Sequence, residues 1–117
     1  MGSLEFLRGE KDTRTYQAGE AIFRSGEPGE AMYAVVEGEV EIQIGGRVVE
    51  VVPPGAVFGE MALIDRSPRS ADAFARTMCT VAPVTQRRFM FLVQETPFFA
   101  IDIMRVLAER LRRYTSG

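Results

Sequence analysis

The chain is predicted to be mainly β, a sandwich or barrel of short antiparallel strands followed by helices. Three observations predict it. Glycines recur at 19, 26, 29, 38, 45, 46, 55 and 59, a spacing suited to repeated tight reversals. Val40-Glu41-Ile42-Gln43-Ile44 alternates apolar and polar residues, the period of a half-buried strand, and runs straight into Gly45-Gly46. After residue 86 the period changes to that of a helix.

Taken in order, Ala31-Met32-Tyr33-Ala34-Val35-Val36 is an apolar run ended by Glu37-Gly38. The strand Val40–Ile44 follows, and Gly45-Gly46 supplies the positive φ angles of a two-residue hairpin turn. Arg47-Val48-Val49-Glu50-Val51-Val52 returns and Pro53-Pro54-Gly55 stops it. Cys79-Thr80-Val81-Ala82-Pro83-Val84 reads as a last strand, which Pro83 marks as an edge or bulged one. A short helix is expected over about 87–95, carrying Phe89, Met90, Leu92 and Val93. Thr96-Pro97 reads as an N-cap followed by proline at the first helical position. Phe98, Ile101, Met104, Leu107, Ala108 and Leu111 then recur at helical spacing, so an amphipathic helix should fill 97–114. The barrel would occupy about 15–86, and 117 residues suit a single domain.

Composition removes whole classes of chemistry. With no His and a lone Cys79, neither a Ser-His-Asp nor a Cys-His catalytic site can be built, nor a His-based zinc site, nor a disulfide framework. Cys79 is expected to be a small buried hydrophobe. A lone thiol and the lack of a secretory signal fit the cytoplasm, and Met1-Gly2-Ser3 carries no weight. No apolar run approaches the ~20 residues of a membrane span. The net charge of −2 argues against a general nucleic-acid binder. Its distribution is uneven, since residues 1–60 hold 11 acids and 5 bases whereas 61–117 hold 5 acids and 9 bases. Nearly all the bases are Arg, which matches phosphate or carboxylate bidentately, so anion recognition in the second half is plausible.

The unusual segment is Phe58 to Ala75. Glu60 to Leu63 is long enough for one helical turn opening after Gly59, and such a turn aims free backbone N–H groups outward. Pro68 fixes the chain just ahead of Arg69. An acid and a base flanking this turn could hold a ligand bearing both a hydroxyl and a phosphate. Equally, the segment could be a surface loop whose Glu60 and Arg69 form an ordinary ion pair.

Phe58-Gly59-Glu60-Met61-Ala62-Leu63, a four-residue gap, then Pro68-Arg69-Ser70-Ala71 resembles the phosphate-binding cassette of the cyclic nucleotide-binding domain family. That module occurs in the catabolite activator protein and in protein kinase A regulatory subunits. The resemblance runs upstream through Ala18-Gly19-Glu20, Ile22-Phe23, Gly26-Glu27-Pro28, Met32-Tyr33 and Glu37-Gly38-Glu39-Val40-Glu41-Ile42, and covers residues ~15–114. It implies an eight-stranded antiparallel jelly-roll barrel with flanking α-helices.

By that resemblance Glu60 accepts a hydrogen bond from the ribose 2'-hydroxyl, and Arg69 pairs with the cyclic phosphate. Ser70 offers its N–H, and Gly59 lets the backbone approach the sugar. The N–H groups of Met61 and Ala62 complete the anion site. Ile42, Val49 and Phe58 are candidates for the apolar wall around ribose and base, or else simple core residues. Ser70 leans toward cAMP and leaves cGMP open. Arg112, Arg113 and Tyr114 are candidates for a lid, with Tyr114 able to stack on the purine, or else a solvated helix end. Asp72 departs from the family, which usually has Thr or another uncharged residue there. Pointed at the phosphate it would repel it, so it is expected to alternate away to solvent. Arg66 adds positive charge near the mouth, or is simply solvated.

The function implied is a regulatory sensor that binds a cyclic mononucleotide, converts nothing, needs no cofactor and signals through its last helix to an output partner outside this chain. The alternative is an interaction module that has lost its ligand. The Phe98–Leu111 stripe would then serve as a homodimer seam, or pack on its own barrel. An enzyme of the similar-looking cupin barrel fails for want of His ligands.

Overall fold

The computed structural model describes residues 12–115. Eight strands and three helices follow one another as β1 (Arg14–Tyr16), β2 (Ala21–Phe23), β3 (Ala31–Glu37), β4 (Val40–Ile44), β5 (Arg47–Val52), β6 (Val57–Phe58), α1 (Glu60–Asp65), β7 (Asp72–Ala75), β8 (Cys79–Thr85), α2 (Gln86–Glu95) and α3 (Pro97–Thr115). They form two antiparallel four-stranded sheets, ordered β1-β8-β3-β6 and β2-β7-β4-β5. This is the expected mainly-β arrangement. Among the described residues no helix is long and apolar enough to cross a membrane.

The sequence patterns have a direct cause in how each sheet is covered. Strand β4 alternates because one face is buried, with Val40 and Ile42 turned into the space between the sheets. Strand β3 is apolar without interruption from Ala31 to Val36 because both of its faces are buried as far as Val35. Tyr33 and Val35 point into the inter-sheet core with Phe23, Phe58 and Val81. Met32 and Ala34 point the other way, into a second core with Val84, Leu92, Phe99 and Ile103. The helices are thus the second wall of one sheet. The hairpin is as expected, with Gly45 and Gly46 at φ of 60° and 80° between the paired residues Ile44 and Arg47. Cys79 is buried in the inter-sheet core, and burial raises the pKa of its thiol.

Two expectations need correction. Of the two options for β8, edge or bulged, the first fails: the strand lies between β1 and β3, and its ladder to β3 shifts register between Val35 and Glu37. Pro83 is tolerated because β1 pairs only Cys79 to Val81, so at Pro83 the strand is paired on the β3 side alone, opposite Tyr33. The second correction concerns α3, whose start and length match expectation while its orientation does not. Its packed face is Phe99, Ile103 and Arg110, with Val106 partly buried. Phe98, Ile101, Met104 and Leu111 are turned outward, and Leu107 alone of the predicted stripe packs partly against the core. The helix is apolar on two faces, and spacing cannot tell which one meets the barrel.

Candidate functional site

The chain from Phe58 to Ala75 folds back on itself at the mouth of the barrel. Gly59 adopts φ +79°, which any side chain would strain, and α1 begins at the next residue. A Cβ on Gly59 would also lie 2.8 Å from Nη1 of Arg69 and 3.2 Å from the Phe23 ring. Gly29 is packed as tightly, its hypothetical Cβ meeting Ala62 at 2.2 Å and the Arg69 guanidinium at 3.3 Å. A side chain at Gly59 would press on Arg69, and one at Gly29 chiefly on Ala62. Gly59 also lines the pocket described below.

Arg69 is 6% exposed. Its Nη1 donates to the carbonyl of Gly59 at 3.0 Å and its Nη2 to that of Ala31 at 2.7 Å. Its guanidinium lies 4.0 Å from the centre of the Phe23 ring, in a cluster where Phe23, Tyr33 and Phe58 pack with centroids 5.4–6.2 Å apart. Its Nε is buried with no hydrogen-bond partner among the described residues. Burial lowers its pKa, with Tyr33, Glu27 and Glu60 acting in the opposite direction. Among the described residues no carboxylate reaches ion-pair distance of this buried cation, which is held by neutral carbonyls and aromatic faces with one N–H unused, while Glu27 and Glu60 act from farther off.

Glu60 is 2% exposed, and the ion pair with Arg69 considered from the sequence is not formed. Its Oε1 instead accepts from Nη1 of Arg110 at 2.7 Å. Arg110, on α3, also donates Nε and Nη2 to the two carboxylate oxygens of Glu50 at 2.9 Å and Nη2 to the Val57 carbonyl. Burial works against the charge on Arg110, but hydrogen bonds and attraction from Glu50 and Glu60 outweigh it and raise its pKa. Arg113 adds a contact to Glu50 at 3.1 Å.

A pocket of 190 Å³ opens between these two arginines, lined by Phe23, Ile42, Ile44, Phe58 through Ala62, Arg69, Ser70, Ala71 and Arg110. Eight of the ten predicted site residues line it: Ile42, Phe58, Gly59, Glu60, Met61, Ala62, Arg69 and Ser70. Val49 does not; it is partly buried against the inter-sheet core. Tyr114 lies on α3, but its side chain is outside the described residues. Arg113 is engaged with Glu50 rather than lying over the pocket as a lid. Arg66 is an exposed, left-handed cap of α1 at φ 60°. Asp72 is not simply solvated, since its Oδ1 accepts the N–H of Ser25 at 2.7 Å.

Sequence reasoning missed Arg110 and Glu50. A usable signal existed for the first: Arg110 falls in phase with Phe99, Ile103 and Val106, so a charge sat on an apolar face.

A family model described as cyclic nucleotide-binding domain matches residues 13–96. The chain is 35% identical over 104 residues to the cyclic AMP receptor protein of Thermus thermophilus, covering 85% of this chain and 48% of that protein. It is 40% identical over 97 residues to a cyclic nucleotide-gated potassium channel of Mesorhizobium japonicum, covering 83% of this chain and 27% of the channel. The crystal structure of Thermus thermophilus catabolite activator protein superimposes with a TM-score of 0.83 at 31% identity, over 96% of this chain and 55% of that one. The chain thus spans about half the length, or less, of these relatives.

Proposed function

Because this chain belongs to the cyclic nucleotide-binding domain family, we propose that it is a regulatory sensor for a cyclic mononucleotide, cAMP in preference to cGMP, bound unchanged in the pocket between Arg69 and Arg110. The observation that carries this reading is Arg69 itself: deeply buried, stacked on Phe23, donating to two neutral carbonyls with the Tyr33 side chain beside it, and with Nε unpartnered among the described residues. A phosphate anion in the pocket supplies the missing acceptor and the missing charge, and charge-assisted bonds are about twice as strong as neutral ones. Glu60 takes the ribose hydroxyl through its second carboxylate oxygen, since Oε1 is held by Arg110. Ile42 and Phe58 form apolar wall, and Met61, Ala62 and Ser70 present backbone N–H groups at the turn.

Signal transmission follows from the same contacts. Arg110 belongs to α3, so a ligand that draws on Glu60 acts on a bond that fastens this helix to the barrel. The response is a shift in how α3 sits, read by an output domain or partner beyond this chain. Calorimetric titration with cAMP and cGMP side by side tests the proposal. Binding at micromolar or tighter affinity, stronger for cAMP, is expected; no heat with either nucleotide would remove the sensor reading.

A second role has its own support. Ile101, Met104 and Leu111 are 42%, 61% and 66% exposed along one side of α3, an apolar stripe suited to a second copy of the same helix. Sedimentation equilibrium should report a homodimer, and Met104→Glu should return it to monomer.

A further inference from the structure

We propose that Asp72, the acid at odds with the family pattern, is a positioning residue for Arg69, acting through the turn formed by residues 24–27. The proposal rests on the sensor reading for its consequence in binding, but its geometry stands apart from it. Strand β2 pairs β7 as far as Phe23 opposite Ala73, through an irregular register. Beyond that point the Asp72 carboxylate takes over from the main-chain ladder by accepting the N–H of Ser25.

Each of the four N–H groups in this turn then has an acceptor. That of Arg24 goes to Oε1 of Glu27 at 3.1 Å, that of Ser25 to Asp72 at 2.7 Å, that of Gly26 to the Arg69 carbonyl at 2.8 Å and that of Glu27 to the Arg24 carbonyl at 3.1 Å. The Arg69 N–H returns a bond to the Glu27 carbonyl at 2.8 Å, and Ser25 Oγ reaches the Arg69 carbonyl at 3.5 Å. The main chain of Arg69 is therefore gripped from both its N–H and its carbonyl by one short turn. That turn starts directly after Phe23, whose ring lies under the Arg69 guanidinium. A shift of the turn moves the arginine relative to its aromatic platform and the pocket. Asp72 supplies a hydrogen bond to the turn from a side chain of β7, beside the ring of Phe74 that lies against the Arg24 guanidinium.

Electrostatics alone predicts the opposite of this role, because a carboxylate three residues from Arg69 would weaken its hold on an anion, and removing it would tighten binding. Asp72→Ala and Asp72→Asn separate the two, since Asn retains an acceptor for Ser25 and loses the charge. Loss of one hydrogen bond of ordinary strength should weaken cAMP binding by about fivefold in Asp72→Ala. Asp72→Asn should bind at least as well as the wild-type chain. In an Arg69→Ala background, Asp72→Ala should change affinity no further, because the residue it positions is gone. Without any ligand, amide hydrogen exchange at Gly26 and Arg69 should quicken by about tenfold in Asp72→Ala and stay at wild-type rates in Asp72→Asn.

Tighter or unchanged binding by Asp72→Ala overturns the proposal, as do unchanged exchange rates at those two amides. If the wild-type chain binds neither nucleotide, the sensor reading falls, and the exchange experiment still decides whether Asp72 holds the turn.

Discussion

Two buried arginines face one pocket from opposite sides, and their surroundings differ in one respect. Arg110 is met by two carboxylates and a carbonyl; Arg69 is met by two carbonyls and the rings of Phe23 and Tyr33. The first is a neutralised cluster joining α3 to β5 and α1. The second has no carboxylate at ion-pair distance among the described residues. Burial of a guanidinium therefore says little until its acceptors are counted by charge. A paired one fastens the fold, and an unpaired one is where a bound anion, as proposed above, would add most.

Substituting each arginine by the apolar methionine breaks or sharpens that contrast. Arg110→Met should cost the most, about 3–5 kcal/mol of stability in urea titration, because Glu50 and Glu60 are left buried without their cation. Arg69→Met should lose far less stability, since only neutral carbonyls are orphaned. Equal losses for the two would erase the distinction. Arg69→Ala should weaken cAMP binding at least roughly tenfold, or ~1.4 kcal/mol, with the fold retained; a titration matching wild type would show that the phosphate is held elsewhere. Glu60→Gln should weaken cAMP binding by a smaller factor, and should have little effect on a 2'-deoxy analogue, which has no hydroxyl to offer. Similar losses with both ligands would detach Glu60 from the ribose. The smallest effect is expected from Met78→Ser in the exposed bend between β7 and β8, within about 0.5 kcal/mol of wild-type stability.

How far the sequence could be read depends on how local the cause was. The hairpin at Gly45-Gly46, the α1 turn after Gly59 and the start of α3 at Pro97 each have their cause within a few residues, and each stands where the pattern put it. The assembly of Phe58 to Ala62 with Arg69 and Ser70 was legible for the same reason, as one short excursion of the chain. Arg110 was not, because Glu60 and Glu50 lie 50 and 60 residues away and it is flanked by exposed arginines of the same composition. The packed side of α3 was misjudged because Phe98 and Phe99 are equally apolar and only the barrel distinguishes them. Asp72 was misplaced because its partner, the Ser25 N–H, comes from another strand's end.

One further consequence lies in α3. Its first turns are wedged by Phe99 and Ile103 into oily surroundings that also cover Met32, Ala34 and Val84, whereas its far end is latched by Arg110 and Arg113 onto acids. Pulling the near end free would wet the outer wall of a sheet, while unlatching the far end would leave Glu50 and Glu60 without their cation. The helix is accordingly held by oily contact at one end and by charge at the other, so the two ends yield to different perturbations, the near one to whatever wets apolar surface and the far one to whatever removes a charge.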